Sequence, residues 1–166
     1  MGRAGGNGVT ARKRGHVRRK EIADAALKVI AEQGLGRFTS LAIAREVGLS
    51  DGALFRHFAT KQEIVVAAID RIEELLFGEA PSGRGDALDR LGAFFQHRIA
   101  TIHRNPGVAR LVLSDDLARA APPSAVKRVS AFRERSAGYV RACLAEADRG
   151  GLLGGISAAE AQVVVY

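Results

Sequence analysis

The chain has no tryptophan, one cysteine, one methionine and four prolines among 166 residues, and aromatic residues make up only 5% of it. A lone cysteine, Cys143, excludes an internal disulfide framework and any cysteine-rich zinc site. No apolar run approaches the ~20 residues that span a bilayer, so neither a transmembrane helix nor a membrane partner is expected. The amino terminus lacks the apolar core of a signal peptide, so a cytoplasmic location is expected. Strand-like alternation is hard to find, while alanine, leucine, arginine and glutamate are plentiful. The fold class expected is therefore all-α. Catalytic signatures are missing as well. The early glycines have no following Lys-Ser/Thr and no preceding strand, so there is no phosphate-binding loop. No nucleophile has a base and an orienting group at recognisable spacing, and His97 and His103, six apart, fall on different helix faces and do not suit a metal site. The chain is expected not to be an enzyme and to carry no cofactor or metal.

Acidic residues are absent from the first twenty positions, where Arg3, Arg12, Lys13, Arg14, Arg18, Arg19 and Lys20 supply seven positive charges. The whole chain carries +7, so residues 21–166 are neutral. Gly2, Gly5, Gly6, Gly8 and Gly15 make residues 1–15 a disordered basic arm. Such an arm is either a solubilising leader or a phosphate-seeking segment that enters a minor groove. Its position favours the second reading, with Arg18 and Arg19 as DNA contacts, because a first helix over 17–33 and a DNA-binding motif follow directly.

That first helix has Ile22, Ala26, Val29 and Ile30 as its apolar stripe, and Gly34 ends it. Residues 39–61 then read as two short helices joined by a tight turn. Thr39 caps the first, and Ile43, Ala44 and Val47 form its apolar face. Gly48 allows the left-handed turn, Leu49 plugs the corner and Ser50 caps the second helix. There Leu54 and Phe58 point inward, leaving Asp51, Gly52, Ala53, Phe55, Arg56 and His57 for the outer faces. This is a helix-turn-helix, whose second helix lies in a DNA major groove. Arg56 is placed to bond guanine O6 and N7 together. Asp51 suits the helix dipole or accepts from a cytosine amino group, and Ala53 touches a thymine methyl or keeps the helix slim. Thr39, Ser40, Ser50, His57 and Lys61 are assigned to phosphates, which orient the protein and carry no sequence information. Arg45 is either a backbone contact or a plain surface arginine.

A helix begins near Lys61, behind the Thr60 cap, with Val65, Ala68, Ile69, Ile72 and Leu76 at helical spacing, long enough to leave the DNA-binding domain. Residues 78–86 form a loop. The next helix, capped by Asp86, turns Leu88, Leu91, Phe95, Ile99 and Ile102 inward until Asn105-Pro106-Gly107 ends it. A short helix spans 108–120. A long one spans 124–149 and buries Val126, Val129, Phe132, Tyr139, Val140, Cys143 and Ala147. Ser157-Ala158-Ala159-Glu160 fits a capping box and starts another.

The pattern Ile43-Ala44-x-x-x-Gly48-Leu49-Ser50-x-Gly52-x-Leu54-Phe55-x-His57-Phe58-x-x-Lys61, after a helix ending in Glu32-Gln33-Gly34, resembles the amino-terminal domain of tetracycline-repressor (TetR) type transcriptional regulators over roughly residues 17–70. The resemblance implies phosphate contacts for His57 and Lys61. It also implies tyrosine where Phe55 stands, a departure that removes one hydroxyl able to bond a phosphate. It further implies a three-helix DNA-binding domain over 16–62, joined through helix 4 to a helical ligand-binding and dimerisation body over 63–166. An inducer pocket in that body would be lined by Phe94, Phe95, Arg98, Tyr139 and Cys143; each of these is otherwise ordinary helix packing. Regulators of this type generally run longer, with two last helices forming a four-helix dimer interface. By that measure the chain is expected to be truncated and its body incomplete. The function expected is a repressor that binds a near-palindromic double-stranded operator as a homodimer when full length and is released by a small-molecule inducer. The alternative is a helical DNA-bound adaptor without a ligand.

Overall fold

The computed structural model describes the backbone of residues 6–78, 85–112 and 121–165 and the side chains of 15–78, 85–112 and 121–162. Among the described residues there is no strand. The helices are α1 (Gly6–Gln33), α2 (Ser40–Glu46), α3 (Asp51–Phe55), α4 (Lys61–Phe77), α5 (Ala87–Arg104), α6 (Pro106–Val112), α7 (Pro123–Arg149) and α8 (Ala158–Val165), with a 3-10 turn at Leu35–Arg37. None of them is long and apolar enough to cross a membrane. The chain divides into two compact units, one from Met1–Ile72 with Asn105–Val126 and the other from Glu73–Arg104 with Lys127–Tyr166.

In the first unit, the stripe of α1 expected from the sequence is buried, with Ile22, Ala26 and Ile30 fully enclosed. Phe38, Ile43, Leu54 and Phe58 from the motif and Ile64, Val65, Ala68, Ile69 and Ile72 from α4 are buried in the same unit. Burying large aliphatic and aromatic side chains is worth about 1.5–3 kcal/mol each, so this face holds the three short elements in place. The ion pairs Lys28–Glu46 and Arg71–Asp24, both at 2.6 Å, span the same packing at its rim, where exposed pairs add little. The start of α1 differs from the expected one. Helical backbone reaches back to Gly6, through a stretch read as disordered. Ala11, Arg12, Lys13 and Arg14 are good helix formers, and extending a helix already anchored over its core-facing turns avoids the nucleation cost. Residues 1–5 lie outside the described residues.

Helix α6 also departs from expectation. α5 stops at Arg104, as Asn105-Pro106-Gly107 implies, but Pro106 is also the first residue of α6, a position where its missing N–H is no loss. The expected continuation to residue 120 lies outside the described residues. α6 packs with α1 in the first unit. The contact is backbone to backbone: a Cβ built on Gly107 would stand 2.1 Å from the Leu27 carbonyl oxygen. Beside it Val108 and Leu111 are buried, and Arg110 Nη1 donates to the Ala31 carbonyl at 2.6 Å. That carbonyl lies in the last turn of α1, where acceptors have no partner within the helix.

In the second unit Leu91, Val140, Cys143 and Leu144 form the core, with Phe94, Phe95, Leu153, Ala158 and Ala161 against it. The buried face of α5 is only in part the one expected. Leu91 is buried and Phe95 partly buried, as expected, but Leu88, Ile99 and Ile102 are exposed, Ile99 to 68%, while Ala87 and Thr101 are buried. Arg98 is partly buried on this helix. Its guanidinium lies 4.4 Å from the Phe77 ring and 4.7 Å from the Phe94 ring, and Nη2 donates to Ser136 Oγ at 3.0 Å. An arginine that stacks on aromatic faces and buries its stem is invisible to a count of apolar residues. On α7, Val129, Phe132, Val140, Cys143 and Ala147 are buried as expected, while Val126 is half-buried and Tyr139 is 37% exposed.

The capping box that opens α8 is formed. Ser157 N–H donates to Glu160 Oε2 at 2.9 Å, Glu160 N–H donates to Ser157 Oγ at 3.3 Å, and the serine hydroxyl donates to the same carboxylate at 2.6 Å. The hydroxyl bond first, then the backbone bond, holds the Glu160 carboxyl below its ordinary 4.5. A depressed carboxyl stabilises the fold above its ordinary value and loses that contribution as pH falls through the lowered one. Side-chain NMR should therefore show Glu160 titrating below 4.5, with α8 fraying in that window; in Ser157→Ala its titration should return toward the ordinary value. Equal titration in both proteins would break the assignment.

Candidate nucleic-acid interface

The motif is built from short-range chemistry. Thr39 Oγ1 accepts from Ala42 N–H and Ser50 Oγ from Ala53 N–H, each at 3.2 Å, so each helix starts on a satisfied donor. Between them Gly48 takes φ +67°, a region that favours glycine, and Leu49 N–H donates to the Ala44 carbonyl at 2.8 Å. α4 begins on a reciprocal box in which Thr60 Oγ1 accepts from Glu63 N–H and Glu63 accepts from Ala59 N–H.

This frame sets what α3 offers to the outside. Asp51, Gly52, Phe55 and Arg56 are exposed, with Phe55 40% accessible. Nothing lies within 4 Å of a Cβ built on Gly52, and its φ is not in the left-handed region. The fold itself therefore makes no demand for glycine there. Ala53 corrects the sequence reading: it is 9% exposed and faces the core, so it is not on the outer face. Ser50 caps the helix by accepting from the Ala53 N–H, and Ala53 is buried beside Leu54. His57 is half-buried in the turn that follows. Thr39 and Ser50 are exposed and Ser40 is half-buried, at the helix starts where backbone amides point outward. Lys61 is exposed, with its Nζ 5.2 Å from the Phe38 ring.

The two α1 arginines differ. Arg18 pairs with Glu21 at 2.7 Å and remains at the surface. Arg19 reaches across to the motif: its Nη1 donates to the His57 carbonyl, and its guanidinium lies 4.0 Å from the Phe58 ring centroid. Neither the Arg19 bond nor that of Arg110 has a local sequence signal, because the partners are 38 and 79 positions away. A surface concavity of about 440 Å³ lies beside the start of α4, lined by Leu35, Thr60, Lys61, Gln62 and Val65.

The five residues suggested for an inducer are together in the second unit. Phe94 packs against Phe95 at 5.4 Å and Tyr139 at 5.0 Å between ring centroids, Arg98 stacks on Phe94, and Cys143 is buried beneath. Burial first, then a hydrogen bond with Cys143, pushes the Tyr139 hydroxyl above its ordinary range. His97 Nε2 lies 3.1 Å from the Leu75 carbonyl oxygen, an ordinary structural hydrogen bond.

Residues 22–68 match the model of the family described as bacterial regulatory proteins, tetR family. The chain is 31% identical over 134 residues to the nucleoid occlusion factor SlmA of Marinobacter nauticus, a match covering 79% of this chain and 68% of that protein. It is 33% identical over 99 residues to the SlmA of Vibrio cholerae, covering 57% of this chain and 50% of the relative. The chain thus spans about half the length of most of the curated relatives it matches. Among solved structures, the TetR family transcriptional regulator PfmR of Thermus thermophilus superposes with a TM-score of 0.72 at 23% identity, covering 87% of this chain and 78% of that one. AibR in complex with isovaleryl coenzyme A and operator DNA superposes with 0.68 at 17% identity, covering 89% and 80%. At these identities the superpositions establish the fold.

Proposed function

Since the chain belongs to the tetR family of bacterial regulatory proteins, we propose that it binds double-stranded DNA sequence-specifically and regulates transcription, as a repressor released by a small molecule. The observation that carries this reading is the outer face of α3. Arg56, Asp51 and Gly52 are exposed on a helix whose start is capped and whose inner face is buried, and no internal packing explains the glycine. Arg56 reads a base. Thr39, Ser40, Ser50, His57 and Lys61 hold phosphates, and Arg18 adds charge beside them. A homodimer presenting two such helices would read a near-palindromic site. Helix α4 runs without a break from the first unit into the second, which holds the Phe94, Phe95, Arg98, Tyr139 and Cys143 cluster. A ligand that favours one setting of α4 would oppose DNA through a single coupling free energy. AibR, crystallised with both a coenzyme A thioester and operator DNA, has this fold, which supports the reading.

Selection of bound duplexes from random oligonucleotides tests it: an enriched, near-palindromic sequence is expected, and binding that prefers no sequence would overturn it. Similarity to a nucleoid occlusion factor favours a second reading, a DNA-bound adaptor with no small ligand. Failure of any ligand to shift DNA affinity, with sequence preference intact, would select that one. The basic arm gives a further prediction. Removing residues 1–15 deletes Arg3, Arg12, Lys13 and Arg14. The slope of log affinity against log salt should flatten by about 0.9 for each phosphate the arm no longer neutralises. An unchanged slope would make the arm a passive leader.

A further inference from the structure

We propose that Arg19 is a positioning residue that sets the recognition helix, and not a phosphate ligand; this rests on the DNA-binding reading above. Helix α3 has five residues. So short a helix has almost no stability of its own, because fixing its first turn costs more than its few hydrogen bonds return. Its start is held by Ser50. Its end runs into Arg56, His57 and Phe58, where His57 N–H and Phe58 N–H both return to the Leu54 carbonyl, at 2.9 and 3.2 Å. The carbonyls of that turn have no further helix to bond.

Arg19 supplies the missing donor from outside. Its guanidinium bonds the His57 carbonyl and lies over Phe58, 4.0 Å from the ring centroid. Phe58 is completely buried, so the stacked arginine joins the end of α3 to both α1 and the core. The clamped carbonyl is one residue from Arg56. The direction in which Arg56 leaves the helix, and hence its register against a base pair, follows from where Arg19 holds that turn. Arginine suits the task through its planar fork, which bonds in its plane while its face covers the ring; lysine offers one point charge and no face.

A phosphate ligand and a clamp give opposite results. The full chain is compared with Arg19→Gln and Arg19→Lys, both expected to fold because Arg19 is exposed. Without DNA, the His57 and Phe58 amides should exchange about tenfold faster in both variants, with α1 and α4 amides unchanged. With duplexes selected by the wild-type chain, affinity should drop about tenfold in both variants, with far less change on a random duplex. The salt slope of Arg19→Lys should equal that of wild type. Unchanged exchange at His57 and Phe58 would overturn the clamp. So would full recovery of affinity by lysine, together with a slope flattened by about 0.9 in Arg19→Gln on every duplex, the signature of a phosphate ligand. If the wild-type chain prefers no duplex, the DNA-binding reading fails on its own, and amide exchange still decides whether Arg19 holds α3.

Discussion

Gly107→Ala should lower the stability of the first unit by about 2 kcal/mol. Two effects oppose each other at this position. Within a helix, alanine is favoured over glycine by about 1 kcal/mol, and Gly107 lies inside α6 at an ordinary backbone angle. Against that, the new Cβ would stand 2.1 Å from the Leu27 carbonyl oxygen, with the carbonyl carbon at 2.8 Å. Both are backbone atoms of a helix whose inner face is fully buried, so neither can swing aside as a flexible side chain would. α6 has to move off α1. That loosens the packing of Val108 and Leu111 and lengthens the Arg110–Ala31 bond, an overpacking cost of about 3 kcal/mol. The clash wins. Urea unfolding followed by amide exchange in α1 and α6 measures the change and locates it. A stabilised variant would mean that helix propensity governs the site and that α6 sits further from α1.

Arg56→Ala should weaken binding to a selected site by about 1–3 kcal/mol and relax preference at one base pair in each half-site. Lys61→Ala should weaken all duplexes by nearly the same factor. The two differ by position. Arg56 leaves the exposed end of α3, while Lys61 stands at the start of α4 against Phe38. A bidentate bond to a guanine edge matters only where guanine is present, whereas a phosphate is present at every position of every duplex. Arg56 is at the surface, so its removal should leave the melting temperature unchanged, separating a reading role from a folding one. Base preferences identical to wild type after Arg56→Ala would remove it from the reading face. Weakening confined to some sequences after Lys61→Ala would exchange the two roles.

Much of the helix-turn-helix, and the start of α8, was legible in the sequence because the determinants are local. Thr39, Gly48, Ser50, Thr60 and the Ser157–Glu160 pair act over three to five positions, and each does in the structure what its spacing implies. The stripe of α4 was legible for the same reason: Val65, Ala68, Ile69, Ile72 and Leu76 are all buried. Misreadings arose where a distant partner decides. On α5 the apolar count selected Leu88, Ile99 and Ile102, which are exposed, and passed over Arg98, which Phe77 and Ser136 engage. Ala53 is too small for its burial to leave a mark on periodicity. Tyr139 packs its ring on Phe94 while the residue stays partly exposed. The attachment of α6 to α1 rests on a glycine that, beside proline, reads equally well as a terminator.

That attachment also bears on how the chain comes to be folded. The first unit is interrupted: residues 73–104 leave it and Asn105–Val126 return to complete it. A ribosome that has released only α1 to α4 has therefore released an unfinished body, with the face of α1 that Gly107 covers still wet and the Ala31 carbonyl still lacking Arg110. Completion waits on closure of the excursion, whose entropic cost rises by only about 0.6 kcal/mol for each doubling of its length. A segment inserted in this way can lengthen, shorten or change its lining at small cost to the part that would meet DNA. The place where the chain departs, inside α4, and the place where it returns, at Asn105, are the two points such change has to leave alone.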